Sequence, residues 1–192
     1  MTSLGITGGL CAGKTTVAEY FKKVGAEVVD ADKIVHRLYR CDKKIRRAVT
    51  REFGNAVVTR GMIDRSKLAK IAFGNKRNLK RLCSVVHPAV LKIIKAKIRK
   101  AKKSVIVVDA PLLVETGLYR YVDYVVVVKA TRNEQLKRCK TKKYFLRRLA
   151  AQMPLSEKLA HADFVIDNSR SKKYTEIQVR KIWEKIKGGK DG

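Results

Sequence analysis

Acid is scarce in this 192-residue sequence: 17 Asp and Glu stand against 45 Lys and Arg, a formal charge of +28. Also sparse are proline (three), histidine (three), tryptophan (one) and cysteine (four). The cysteines, Cys11, Cys41, Cys83 and Cys139, include no C-x-x-C pair, and no Cys/His cluster has the spacing of a zinc site. Thiols so far apart are expected to stay reduced in a cytoplasmic protein. No apolar run approaches the roughly 18 residues that would cross a bilayer, so no membrane partner is expected. The first residues run directly into the motif described next, and no cleaved leader is expected. A hydrophobic content of 45% suits a globular chain, and residues 1–192 are read as one domain. The surplus of base attracts polyanions, nucleic acid first and phosphorylated small molecules second. It is spread through Lys43-Lys44-Ile45-Arg46-Arg47, Lys92 to Lys103 and Lys137 to Arg148 instead of forming one tail. That distribution suits a solvated surface, and nucleic acid is not expected as the partner.

What the sequence does hold is a phosphate-binding pattern. Gly8-Gly9-Leu10-Cys11-Ala12-Gly13-Lys14-Thr15 fills G-x-x-x-x-G-K-[ST]. The apolar Leu4-Gly5-Ile6-Thr7 precedes it, and Thr16 to Phe21 follows with helical spacing of Val17, Tyr20 and Phe21. Strand, glycine turn and helix are the context in which this motif binds the phosphates of ATP. The backbone amides of Gly9, Leu10, Cys11, Ala12, Gly13, Lys14, Thr15 and Thr16 are expected to surround the phosphates. Lys14 would reach the β- and γ-phosphates, and the Thr15 hydroxyl would ligate Mg2+.

Further runs read as buried parallel strands: 26–30, 104–109, 121–128 and the shorter 164–167. The fold class is therefore α/β, a parallel five-stranded sheet with helices on both faces. Residues 31–103 are too long for a simple crossover and read as a helical acceptor-binding insertion. Within it, Asp64 is placed to cap a helix reaching Phe73, and Pro88 to open another over 89–98. A last helix, Tyr174 to Lys187, puts Ile177, Ile182, Trp183 and Ile186 on its packing face, and 188–192 reads as a frayed tail.

Ligands of such sheets lie beyond the carboxyl ends of the strands. Asp30, Asp32 and Asp109 fall there. Phosphoryl transfer to an alcohol needs a carboxylate to take the hydroxyl proton, and Asp32 is the candidate base. On spacing alone it is equally an N-cap for the helix that follows. Asp30 would orient Mg2+ or the loop, and Asp109 would hold Mg2+ as a Walker-B carboxylate or cap a turn. Transfer also needs cations over the γ-phosphate, often from a mobile lid, and the basic stretch from Arg132 to Arg148 is the lid candidate, with Gln135, Arg138 and Lys142 near one face. His87 is a candidate acceptor contact, ahead of His36 and His161.

With these pieces in place the chain resembles the dephospho-coenzyme A kinases, from its first strand to its last helix. The matching blocks are Leu4 to Thr16, Val28-Val29-Asp30-Ala31-Asp32-Lys33-Ile34, His87-Pro88-Ala89-Val90 and Asp109-Ala110-Pro111-Leu112-Leu113-Val114-Glu115. They continue with Gln135-Leu136-Lys137-Arg138, Arg148-Leu149-Ala150-Ala151-Gln152 and Ala162-Asp163-Phe164-Val165-Ile166-Asp167-Asn168. The resemblance implies a P-loop kinase with ATP and Mg2+ that phosphorylates the ribose 3′-hydroxyl of dephospho-coenzyme A. It implies Asp32 as the base, Arg138 and Arg148 as cations on the transferring phosphate, Asn168 at the nucleotide, and His87 and Leu113 at the acceptor. A monomer or weak oligomer is expected. The chain departs from the family pattern in the lid, about 139–148, which is short and carries Lys142-Lys143 where an Arg-Asp pair is usual. An ammonium cannot grip phosphate in the bidentate way of a guanidinium. A nucleoside- or nucleotide-type kinase and a nucleic-acid-stimulated NTPase are the alternative readings.

Overall fold

A computed structural model describes residues 1–139 and 141–188. Lys140 of the expected lid and residues 189–192 of the expected tail lie outside the described residues. In chain order the elements are β1 Thr2–Gly8, α1 Lys14–Lys23, β2 Glu27–Asp30, α2 Ala31–Cys41, α3 Lys43–Phe53, β3 Val58–Thr59, β4 Met62–Ile63, α4 Arg65–Ala72 and α5 Lys76–Lys100. They continue with β5 Val105–Asp109, β6 Tyr124–Lys129, α6 Arg132–Arg138, α7 Lys142–Ala151, α8 Leu155–Leu159, β7 Phe164–Asp167 and α9 Lys172–Gly188.

Five strands form a parallel sheet in the order β2-β5-β1-β6-β7. Unbroken apolar runs suit it because successive side chains face opposite layers. Val105 and Val107 of β5 join α1 and α9 in one core with Val17, Phe21, Ile182 and Ile186. Ile106 and Val108 join the other, with Ile34 and Leu38 of α2 and Val90 and Ile94 of α5. The segment between β2 and β5 is helical apart from the small β3–β4 hairpin, which the sequence reading lacks.

Three expectations are corrected. Pro88 does not open a helix; it lies inside the 25-residue α5. Proline removes one backbone donor and crowds the carbonyl four residues back, but Leu79, Val86, Val90 and Ile94 bury one face on both sides of it, and that packing carries the helix through. Ile177 is exposed, while Thr175, Val179, Ile182 and Ile186 form the buried face of α9. The fourth core strand starts at Tyr124, not Tyr121. Asp123 Oδ2 instead accepts from the Ser3 N–H at 2.7 Å and the Ser3 hydroxyl at 2.8 Å, pinning the entry to β6 against β1.

Asp64 caps α4 as expected, accepting from the Ser66 and Lys67 amides at 2.9 and 3.0 Å.

Candidate active site

The turn between β1 and α1 has the curled geometry the glycine pattern calls for. Gly13 sits at φ 89°, and a Cβ there would meet Asn168 Nδ2; only glycine serves both demands. No side chain caps the N-terminus of α1, so its first amides are open to an anion. Inside the turn Ala12 N–H donates to Gly9 O at 3.2 Å and Gly9 N–H to Val128 O at 3.0 Å. Leu10 and Ala12 are buried, whereas Thr15 and Thr16 face solvent in the first turn of the helix. Lys14 Nζ donates to Gly9 O at 3.0 Å and so lies across its own loop. Burial, then the nearby Lys158 charge, lower its pKa to about 8, with Asp109 opposing.

Asp30 and Asp109 lie level at the carboxyl ends of β2 and β5. The structure separates the two neighbouring aspartates by role. Asp30 is the N-cap of α2, accepting from the Lys33 amide at 2.9 Å. Asp32 is therefore not the cap. It stands in the first turn and lines a cavity of about 820 Å³ between the inserted helices, the turn after β5 and α7. Desolvation and the Asp30 charge raise its pKa, against His36, Arg148 and Lys14. Asp109 is buried, and its Oδ1 has no partner among the described residues. Burial lifts its carboxyl to about 6, with Lys14 opposing. An orphaned carboxylate oxygen at a strand end suits a divalent cation, although no group of three or more His, Cys, Asp or Glu side chains placed to hold a metal occurs among the described residues, here included.

Other expected residues fall in varied places. His87 lines the cavity from the middle of α5, and burial lowers its pKa. Leu113 does not line it: the side chain is fully buried, packed where a Cβ on Gly5 would clash, and its neighbour Leu112 faces the cavity. Asn168 is spent on the loop's architecture. Its Nδ2 donates to Ala12 O at 2.7 Å and its Oδ1 accepts from Thr175 Oγ1 at 2.8 Å. Arg138 grips the loop rim, donating to Ala12 O at 3.4 Å, to Asn168 O at 2.9 Å and to Glu134 Oε2 at 3.1 Å. Arg148 lies over the rings of Phe73 and Tyr144, at 3.9 and 4.8 Å, on the cavity wall. Lys142 is exposed.

The expectation of four free thiols is overturned. Cys11 and Cys139 are joined as a disulfide, Cα atoms 5.8 Å apart, and only Cys41 and Cys83 are free. Residues 128 apart in sequence are brought together because the chain after β6 returns over the loop.

Sequence reasoning ranked His36 below His87, yet His36 shares the cavity with Asp32 one helical turn away. The i,i+4 spacing was the available signal. It gave none for Arg65, Tyr39, Phe73 and Tyr144, which line the same cavity from separate helices.

The family model described as Dephospho-CoA kinase matches residues 2–173. A dephospho-CoA kinase of Aquifex aeolicus is 39% identical over 193 aligned positions, covering 97% of this chain and 98% of that protein. One from Carboxydothermus hydrogenoformans is 41% identical, covering 96% and 94%. The chain belongs to the dephospho-CoA kinase family. The solved dephospho-CoA kinase of Campylobacter jejuni superposes with a TM-score of 0.67 at 27% identity, covering 98% of each chain. As a dephospho-CoA kinase family member, the chain is an ATP-dependent phosphotransferase of P-loop architecture. Among the described residues, no helix is long and apolar enough to cross a membrane.

Proposed function

We propose that this protein transfers the γ-phosphoryl group of ATP to the ribose 3′-hydroxyl of dephospho-coenzyme A, giving coenzyme A and ADP. The observation that carries the reading is the division of labour at the start of α2: Asp30 caps the helix, which leaves Asp32 free at the cavity wall. In this reading Asp32 accepts the 3′-hydroxyl proton as that oxygen bonds to the γ-phosphorus. The bridging oxygen departs with ADP.

The open amides of the loop and Lys14 hold the ATP phosphates, and Arg138, anchored at the rim, faces the same loop. Thr15 and the orphaned Asp109 oxygen would hold Mg2+, which when bound neutralises charge on the β- and γ-phosphates. Asn168 shapes the loop around the nucleotide, and His87, Leu112 and Arg148 border the acceptor. A coenzyme precursor combines a nucleotide head with a long, largely apolar arm, and the cavity joins Asp32, His36 and Arg65 to Leu79, Leu82 and Val86.

We assign the reaction to the cytoplasm, to a monomer or weak oligomer of one kinase domain, with no nucleic acid required. Purified protein with ATP, Mg2+ and dephospho-coenzyme A should yield coenzyme A by mass. Shikimate, nucleosides and nucleoside monophosphates should be poor acceptors, and DNA or RNA should leave ADP release unchanged. ADP formed without coenzyme A would overturn the assignment.

A further inference from the structure

Lys158 is a lysine in an unusual place. It sits in the short helix α8 with a side chain only 1% exposed. Its Nζ donates to the Pro111 carbonyl at 2.8 Å and pairs with Glu115 Oε1, also at 2.8 Å. Each partner is held a second time. Pro111 O accepts from Thr7 Oγ1 at 3.1 Å, and Thr7 is the residue that leads into the phosphate loop. Glu115 Oε1 accepts from the Met153 N–H at 3.3 Å, just past the end of α7 in the lid region. One ammonium thus joins three pieces of the site: the root of the phosphate loop, the turn after β5, and the exit of the lid.

The turn it spans, 110–116, follows Asp109 directly, and Ala110, Pro111, Leu112 and Thr116 line the acceptor cavity. The turn is bonded within itself, by Leu113 N–H to Ala110 O at 3.1 Å and by the Thr116 N–H and hydroxyl to Leu112 O at 3.0 and 2.7 Å, but those bonds leave the Pro111 carbonyl and the Glu115 carboxylate to partners outside it. Lys158 grips it at both ends.

Burying such a pair is not an economical way to stabilise a core. Removing two charges from water costs about as much as their attraction returns, and packed apolar residues of equal volume often serve stability as well or better. Apolar neighbours are at hand, since Leu155 and Leu159 flank Lys158 in α8 and pack on the core. The pair is also incompletely satisfied, because Glu115 Oε2 has no partner among the described residues. What an ammonium provides and a leucine does not is direction: its donors fix one carbonyl and one carboxylate at set positions.

We infer that Lys158 is a positioning residue of the transfer reaction, setting the turn after β5 against the root of the phosphate loop so that acceptor and phosphoryl donor meet in line. The inference rests on the kinase reading above. Misplacement by an ångström costs roughly 10²-fold in rate even when the residue altered is remote from the chemistry.

The test compares wild type, Lys158→Met, Lys158→Arg and the double variant Lys158→Met/Glu115→Gln. For each, thermal unfolding is measured together with kcat and KM for ATP and for dephospho-coenzyme A. Lys158→Met leaves a buried carboxylate unpaired and should unfold at lower temperature. The double variant carries neither charge and should regain most of that loss, yet keep a kcat lowered roughly 10²-fold and a raised KM for the acceptor, with KM for ATP near wild type. Lys158→Arg, which keeps charge and donors, should recover part of the rate. A double variant that regains kcat together with its unfolding temperature would reduce Lys158 to a structural role and overturn the inference. Should neither apolar variant fold, Lys158→Arg decides: a wild-type unfolding temperature with unchanged KM values and kcat lost to background overturns it, and a kcat reduced but measurable with a raised KM for the acceptor supports it. Wild type serves as the control for the kinase reading, which fails if wild type itself makes no coenzyme A.

Discussion

Asp30 and Asp32 are two residues apart, and a helix begins between them. The first spends its carboxylate on the Lys33 amide; the second is left at the cavity. Asp32→Asn should lower kcat by about 10²–10⁴-fold, the usual worth of a general base, with KM for ATP nearly unchanged in steady-state assays. The pH dependence follows from the same residue. Its pKa is raised by burial and by Asp30, and a base must be ionised, so the acid limb of kcat/KM for the acceptor should fall above the ordinary aspartate value of 3.8. For stability the sign is opposite. A carboxyl raised in the folded state binds protons more tightly there than when unfolded. Its contribution to stability is present at low pH and is lost as pH rises from 3.8 through the folded value. Asp32→Asn should therefore be slow yet melt higher than wild type at pH 7 in a calorimeter. The aspartate pair was legible as a motif, and the family resemblance gave Asp32 the base's role, but spacing alone gave base and cap equal claim and did not show that Asp30 is the cap. Leu113 was misassigned for a related reason: in a tight turn neighbouring side chains diverge, and only packing under Gly5 sends Leu113 inward and leaves Leu112 at the cavity.

Among the elements, the phosphate loop was fully readable, because its glycines answer to backbone geometry that sequence states directly. Its buttress was not. Asn168 stands 156 residues from Ala12 and holds its carbonyl. Asn168→Ala takes the short bonds from that carbonyl and from the Thr175 hydroxyl and leaves only long ones, from Arg138 to Ala12 O and from Thr175 to Ser171 O, both at 3.4 Å, which should cost about 0.5–1.5 kcal/mol for each bond lost. The expected melting point falls by about 2–4 °C for each kcal/mol, and KM for ATP rises. The Cys11–Cys139 bond was equally invisible, since pairing depends on how the chain returns after β6. It ties the phosphate loop to the residue that follows the last turn of α6. Reducing the bond to two thiols should raise kcat when product release limits turnover, and Cys11→Ser should abolish the response to reductant. Equal rates with and without reductant in wild type would remove the bond from control of turnover. Pro88 shows the converse failure, a strong local signal overridden by a continuous buried face along α5.

At the scale of the whole molecule, the layered α/β architecture was legible from unbroken β-branched strands, and the helical insertion from the length between two of them. The cavity was not, because its walls come from helices whose relative placement no local pattern encodes. The net charge of +28 acts at this scale as well. Like charges spread over one compact body repel, and added salt screens them over about 8–10 Å at physiological strength. The unfolding temperature should rise between low and moderate NaCl, while ATP affinity weakens as screening reaches the loop. The contact between Arg148 and the rings of Phe73 and Tyr144 answers to a different rule. A guanidinium lying flat on an aromatic face keeps close range and excludes water, so ions in solution have little purchase on it. In brine the phosphate loop should weaken its hold on nucleotide while the Arg148 contact on the cavity wall persists, so the KM for ATP should climb with ionic strength ahead of that for the acceptor.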